Sequence, residues 1–312
     1  LCATVLRTML LALISEGIDM NVRVASYNVK NLFMDRDIDS GSRTRPKSER
    51  SLAALAESLE RSGADVVALQ ELSSQETLEK DLLSRRGLAE KFPHVAWTEG
   101  NDERGIRVGI ISKYPFTMTE SHADHVIPFA DGSGSGKFSR DLLRVDINTD
   151  ADPEADLSVY TTHFKSRRPA DPGEVNADVR RLSEGIETRK IVEKEMAEFP
   201  NRMFVVTGDM NDNTDDPPVQ AILNGSGEGA EKWVDSLDHL AADDRNTWPA
   251  NPTHTRYPPE QFDHIIYPQR FDGQVTRHAP LRFEQSIDSD TKWVSSAASD
   301  HLMVIADLEI KE

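Results

Sequence analysis

The chain has 312 residues, with 54 acidic against 36 basic side chains and a formal net charge of -18. So acidic a molecule repels polyanions and anionic membrane surfaces as a whole, and a phosphate-bearing substrate must be drawn in locally, by a metal or an Arg/Lys cluster. Its one cysteine, Cys2, excludes a disulfide within the chain and any thiolate metal site.

Residues Leu1 to Ile14 are apolar apart from Arg7. The run is too short to cross a bilayer and lacks a small-residue cleavage signal. Met20, just before "NVRVASYN", is a candidate start. Residues 1–20 are therefore expected to be peripheral to one domain over 21–312. Secretion stays open; the Asp-rich, Arg-rich composition would suit a high-salt cytoplasm, which tips the expectation slightly that way.

Strand-like apolar runs follow at Val22–Ser26, Val66–Leu69, Val108–Ser112, Leu142–Ile147, Leu157–Thr162, Met203–Thr207, His264–Tyr267 and Leu302–Leu308. Between them lie two long helical patterns. In "KSERSLAALAESLERSG", Leu52, Leu55 and Leu59 mark one face and Gly63 is a C-terminal stop. In "EVNADVRRLSEGIETRKIVEKEMAEF", Leu182, Ile186, Ile191 and Met196 mark the expected buried side, with Gly185 an interruption. Strands outnumber helices and do not alternate strictly with them, so the pattern predicts an α/β (α+β) sandwich with a largely antiparallel core. The glycine-rich "DGSGSGK" lacks the spacing of a phosphate-binding loop.

The ends of these strands share a feature. "SYNVKNLF" contains Asn28, "LQEL" Gln70 and Glu71, "THFKS" His163 and Lys165, and "GDMND" Asp209 and Asn211. "FDHIIY" opens with Asp263, and "SDHLMV" with Asp300 and His301. Any one of these residues alone is most simply a solvated polar group, and Asp209 to Asn213 alone is most simply a turn. Six such strand ends together point to a site. Asp209 and Asn211, two apart on an extended segment, are expected on one side, leaving Asp212 and Asn213 to carry the turn.

Taken in order, these segments resemble the endonuclease/exonuclease/phosphatase superfamily, the deoxyribonuclease I-like fold, from about Val22 to Leu308. The resemblance implies a four-layered sandwich of two mostly antiparallel sheets flanked by helices. It also implies phosphate-ester hydrolysis with a divalent cation, Mg²⁺ with Mn²⁺ as a substitute. Glu71 and Asp300 are placed nearest the metal, with Asn28 beside them; oxygen ligands suit a hard cation. By the same carry-over Asp209 activates the nucleophilic water, Asn211 bonds phosphate or water, and His301 contacts the phosphate with Asp263 holding its ring. His163 faces the phosphate from the other side, with Glu99 a candidate partner, while Lys165 and Arg167 supply positive charge for the substrate. Arg168 is counted with them, and Arg167 and Arg168 are as readily an ordinary solvated pair.

Abasic-site enzymes of the family have Tyr where His163 stands, so the chain resembles the two-histidine branch more closely. "EQFDHI" lacks the P-x-W-C-D-R element of inositol polyphosphate 5-phosphatases. A nuclease acting on DNA or RNA is the expectation, with nucleic acid as partner. A phosphoesterase of a phospholipid headgroup or sugar phosphate is the alternative. A non-catalytic module on the same fold would be marked by loss of Glu71, Asp209 or His301, and all three are present.

Overall fold

The structure, a computed structural model, describes residues 20–150, 154–168, 174–225, 227, 229–250, 258–289 and 292–311. The apolar N-terminal segment, and most of the Pro-rich stretch from Trp248 to Pro259, lie outside the described residues.

Fourteen strands are described. They are β1 (Met20–Leu32), β2 (Val66–Leu72), β3 (His94–Trp97), β4 (Arg107–Ser112), β5 (Phe116–Ser121), β6 (Ile127–Pro128), β7 (Ser135–Gly136), β8 (Leu142–Ile147), β9 (Leu157–His163), β10 (Met203–Asp209), β11 (Trp233–Asp235), β12 (Asp263–Pro268), β13 (Val275–Arg277) and β14 (Val304–Ile310). They form two six-stranded sheets, ordered β13-β14-β1-β2-β4-β3 and β11-β12-β10-β9-β8-β5, and β6 and β7 form a small hairpin. Each large sheet has one parallel pair, β1 with β2 and β9 with β10, among otherwise antiparallel neighbours. The mixed sheets pack face to face with helices outside both, which is the expected sandwich. Strands β3, β5, β11 and β13 lacked a long apolar run: Phe116–Ser121, for example, is an edge strand with mostly exposed side chains.

Alternation along the strands builds three apolar layers. Val22, Val24, Val66, Ala68, Val108 and Ile110 meet Leu143, Val145, Val159, Val205 and Ile265 between the sheets. Ala25, Tyr27, Val67 and Leu69 face outward onto Leu52, Leu55 and Leu59 of the Glu49–Arg61 helix. Ser48 caps that helix by accepting from the Ser51 N–H, and Gly63 follows it at φ +68°. On the far side, Tyr160, Phe204, Val206 and Ile266 pack on Val192, Met196, Val219 and Ile222 from the Ala177–Glu198 and Pro217–Asn224 helices.

The Ala177–Glu198 helix departs from the expected face. Of Leu182, Ile186, Ile191 and Met196, only Met196 is buried; Arg181, Ser183, Glu184, Glu187, Thr188 and Arg189 are buried instead. The cause is its partner. Gly185 lies against the neighbouring helix so closely that a Cβ there would stand 2.3 Å from the Pro218 carbonyl oxygen, and the turn beside it binds polar loops rather than apolar side chains. Glu184 accepts the Ser139 N–H (2.6 Å) and the Lys165 N–H (2.9 Å), and Arg181 Nε donates to Asp212 (2.6 Å). The helix thereby clamps the segments that leave β9 and β10.

Gly208 sets how closely those two strands run. At φ +144° its Cβ would stand 2.0 Å from the Thr162 carbonyl oxygen. Gly208→Ala is therefore expected to destabilise the protein by at least about 3 kcal/mol. Urea denaturation would read this as a lowered midpoint, and an unchanged midpoint would contradict the stated packing.

Candidate active site

The site continues the inter-sheet core at one edge. The period that turns Val22 and Val24 inward runs on through Ser26 to Asn28. Leu157 and Val159 likewise lead to His163, Met203 and Val205 to Asp209, and Tyr267 and Ile265 back to Asp263. Register then aligns them: Asp209 pairs with His163 across the parallel ladder and with Asp263 across the antiparallel one. His163, Asp209 and Asp263 thus form one row across a sheet.

The opposite sheet answers that row. Asn28 Nδ2 donates to Asp209 Oδ2 (2.8 Å) and to Glu71 Oε1 (3.2 Å). His301, just before β14, is hydrogen-bonded through Nδ1 to Asp263 Oδ2 (2.8 Å). Its Nε2 lies 3.8 Å from Asp209 Oδ2, and His163 Nε2 lies 3.5 Å from the same oxygen. The turn carrying His301 is tied down by Ser299, whose hydroxyl donates to the Asn28 carbonyl (2.7 Å) and accepts the His301 N–H (3.1 Å).

Glu71 reaches this edge by a backbone irregularity. Strand alternation would turn it away from Gln70, onto the helix side. The β1–β2 register shifts between Asn28 and Leu32, and Glu71, Lys30 and Asn31 all take positive φ, at 65°, 49° and 49°. Left-handed backbone at such residues costs roughly 1–3 kcal/mol each and clusters at functional sites. Here it lets Glu71 Oε2 accept the Asn31 N–H at 2.8 Å.

Burial and charge divide the ionisable groups. Burial pushes Asp209 up to about 7, against the opposing pull of His301 and the Asn28 amide. Burial lowers His301, but Asp263 and Asp209 outweigh it and hold the ring charged, at about 10. His163 goes the other way: burial first, then Arg140 and His301, drive its pKa well below the ordinary histidine value. Its contact with Asp209 is therefore that of a neutral imidazole. Burial also works against Asp300, yet His301 and Lys30, whose Nζ lies 3.3 Å away, bring its pKa below the usual range.

The remaining expected residues divide between the centre and its rim. The chain turns at Asn211, at φ +54°, so the segment after Asp209 is not extended. The Asn211 N–H closes onto Asp209 Oδ1 (2.9 Å), and its Nδ2 donates to the Phe164 carbonyl (3.1 Å). Lys165 Nζ pairs with Glu174 (3.0 Å). Arg167 is held by Asp212 and Asp216 (2.8 Å each) and by Glu260, over the ring of Phe262. Glu99 is exposed and pairs with Arg107 at 3.4 Å rather than with His163, whose Nδ1 is buried with no hydrogen-bond partner among the described residues.

Two basic residues near the centre went unremarked in the sequence. Buried Arg140 donates to the Phe164 carbonyl (2.7 Å) and acts electrostatically on both His163 and Glu71. Lys47 Nζ donates to the Val29 and Lys30 carbonyls (2.7 and 3.1 Å) and feels Asp300 and Glu71. Arg140 lies two residues before β8, at a strand end like the other residues of the site.

The donors fit a hard divalent cation. Glu71 and Asp300 both act on Lys47, and the groups around them, the Asn28 amide, the Asn31 N–H and Lys30, leave two oxygen-donor carboxylates at the edge. Asn28 sits among them differently from expectation: its NH₂ group faces the carboxylates, while its amide oxygen accepts the Lys30 N–H (2.9 Å). Asp209, Asp263 and His301 also bring one ligand atom each within 4.8 Å of one another. That set is the poorer candidate, since His301 is held protonated and Asp263 Oδ2 is already bonded to it.

The fold is that of a hydrolase of phosphate esters. The chain is a member of the Endonuclease/Exonuclease/phosphatase family, whose model matches residues 25–301. No curated protein matches the chain. Among solved structures it is similar to the human Nocturnin catalytic domain with bound sulfate anion, at TM-score 0.61 and 14% identity over 94% of this chain and 96% of that one. It is similar to truncated Caenorhabditis elegans TDP2 at TM-score 0.59 and 16% identity, over 93% of this chain and 98% of that one. D. rerio TDP2 complexed with single strand DNA product aligns at TM-score 0.55 and 20% identity, over 93% and 99% of the two chains.

Behind the centre, His264 bonds Asp235 through Nδ1 (2.6 Å) and the Asp212 carbonyl through Nε2 (2.9 Å). Burial lowers its pKa, but Asp235 outweighs burial and leaves it raised. A raised folded-state pKa contributes stability in full below the unfolded value near 6.5, and that stability is lost as pH rises through the folded value. His264→Gln is expected to lower the melting temperature more at pH 6 than at pH 9. Equal losses in paired thermal melts would refute the charged state assigned to His264.

Proposed function

We propose that the chain hydrolyses phosphodiesters and that its substrate is a nucleic acid strand, DNA or RNA. One observation supports this most: Asp209, buried at the edge where two sheets meet, stands 3.8 Å from His301 Nε2 and 3.5 Å from His163 Nε2, and burial raises its pKa. The Asp209 carboxylate takes a proton from the attacking water as that oxygen bonds to phosphorus and the opposite P–O ester bond breaks, the departing oxygen taking a proton from solvent to leave as the alcohol. A basicity near the working pH suits this step. His301, oriented and kept charged by Asp263, donates from Nε2 to a phosphate oxygen that gains charge in the transition state. Neutral His163 donates a hydrogen bond from the other side, and Asn211 shapes the turn that fixes Asp209. Glu71 and Asp300 would hold a divalent cation, Mg²⁺ or Mn²⁺, with Asn28 positioning Glu71. When bound, the cation supplies Lewis-acid neutralisation of phosphate charge.

The second reading, a phosphoesterase of a smaller substrate, is favoured by the net charge of -18 and by the carboxylates that occupy Arg167. Both readings share the same chemistry. Nicking of plasmid DNA and hydrolysis of bis(p-nitrophenyl) phosphate, each with Mg²⁺, report the two classes side by side. Asp209→Asn and His301→Gln are each expected to lower kcat/KM by roughly 10²–10⁴-fold. EDTA should abolish turnover and Mn²⁺ restore it. Activity that survives chelation, or persists in both variants, would overturn the mechanism.

A further inference from the structure

The local positive charge a polyanion needs is scarce at this site. Most basic groups around it already face acids. Lys30 lies against Asp300 (3.3 Å), Arg104 and Arg140 each lie 3.2 Å from Asp102, Lys165 pairs with Glu174 (3.0 Å), and Arg167 is shared by three carboxylates. The exceptions among the described residues include Arg168, which stands alone, and one segment that carries two. Between the Asp35–Asp37 turn and the Glu49–Arg61 helix the sequence reads "SGSRTRPKS", and Arg43 and Arg45 in it are exposed with no acidic partner among the described residues.

This segment is moored at the site. Lys47 is bound at both its backbone and its side chain: its N–H donates to the Phe33 carbonyl (2.8 Å), and Nζ reaches the Val29 and Lys30 carbonyls just beyond Asn28. Arg45 and Arg43 are two and four residues away, within at most about 7 and 14 Å of chain. The stretch from Ser42 to Ser48 has no regular secondary structure. Pro46 excludes helix for Arg45 and favours an extended backbone there. Arg43 and Arg45 are thus exposed on chain directly continuous with the Lys47 anchor.

We infer that Arg43 and Arg45 form a basic arm that binds the phosphate backbone of a polynucleotide strand running out of the active site past Glu71 and Asp300. The inference rests on the proposed phosphodiesterase reading and narrows its substrate to a polymer. Unpaired guanidinium groups suit this role, since each makes fork-shaped contacts with phosphate oxygens and displaces condensed counterions. A small phosphoester seated at Asp209 and His301 leaves the arm idle. A polynucleotide reaches it with the phosphates flanking the scissile one.

The double variant Arg43→Ala/Arg45→Ala tests this in two assays. The first is fluorescence anisotropy of a labelled single strand of ~20 nucleotides, in EDTA so that no cleavage occurs. Loss of two phosphate contacts, at a slope of about 0.7 per contact for single strands, predicts roughly twentyfold weaker binding at 0.1 M salt. It also predicts a slope of log affinity against log salt shallower by about 1.4. The second is turnover of bis(p-nitrophenyl) phosphate, which should match wild type, because neither arginine touches the reacting atoms. Unchanged oligonucleotide affinity and slope would overturn the arm while leaving the phosphodiesterase reading intact. Wild-type protein that hydrolyses neither substrate would sink that reading, while the anisotropy still decides the arm. If the variant instead loses binding only to phosphatidylserine vesicles, the arm serves an anionic membrane and the polynucleotide assignment is wrong.

Discussion

Everything at the candidate site depends on a polar seam across the two sheets. Asn28 to Asp209 and His301 to Asp263 join the edge of one sheet to the edge of the other, and Gln70 Nε2 donates to Thr161 (3.0 Å) just beneath them. Below, the same strands meet through Val24, Ala68, Val159 and Val205. The change from apolar to polar contact is abrupt, and it happens without any change in strand alternation. The seam holds charged groups out of water, where their mutual interactions are much stronger than at a surface.

That placement explains why the two histidines differ. Both are buried, so desolvation disfavours the charged form of each. His301 has two carboxylates against it and stays charged. His163 has Arg140 behind it, and becomes neutral. The difference comes from neighbours rather than from the residue type, and it is the kind of separation acid–base chemistry requires. The polar face of the Ala177–Glu198 helix belongs to the same arrangement. Through Glu184 and Arg181 it fixes the segments on which His163 and Asp209 stand.

Much of this was legible from residue order. Period-two alternation could be followed through each strand, so Asn28, His163, Asp209 and Asp263 could be placed at strand ends, and the sandwich followed from the balance of strands and helices. What escaped depends on backbone geometry or on distant partners. Nothing local signals that Glu71 takes positive φ and swings back towards Asn31. Asn211 was placed beside Asp209 by the rule for extended chain, and the left-handed turn there breaks that rule. The apolar residues of the long helix suggested a conventional amphipathic face. Close contact at Gly185 and the buried loop carbonyls and amides beside it made the polar face the inner one. Ion pairing is the least legible of all: Arg167 reads as a phosphate ligand until Asp212, Asp216 and Glu260 are seen around it.

The chemistry turns on His301 being an imidazolium held between Asp263 and Asp209 while His163 is neutral. Long-range ¹H–¹⁵N correlation of the histidine rings near pH 8 tests it directly. Two protonated nitrogens are expected on the His301 ring and one bare nitrogen on His163, with the His301 pKa lowered in Asp263→Asn. A neutral His301 at that pH, or matching protonation of both rings, would contradict it.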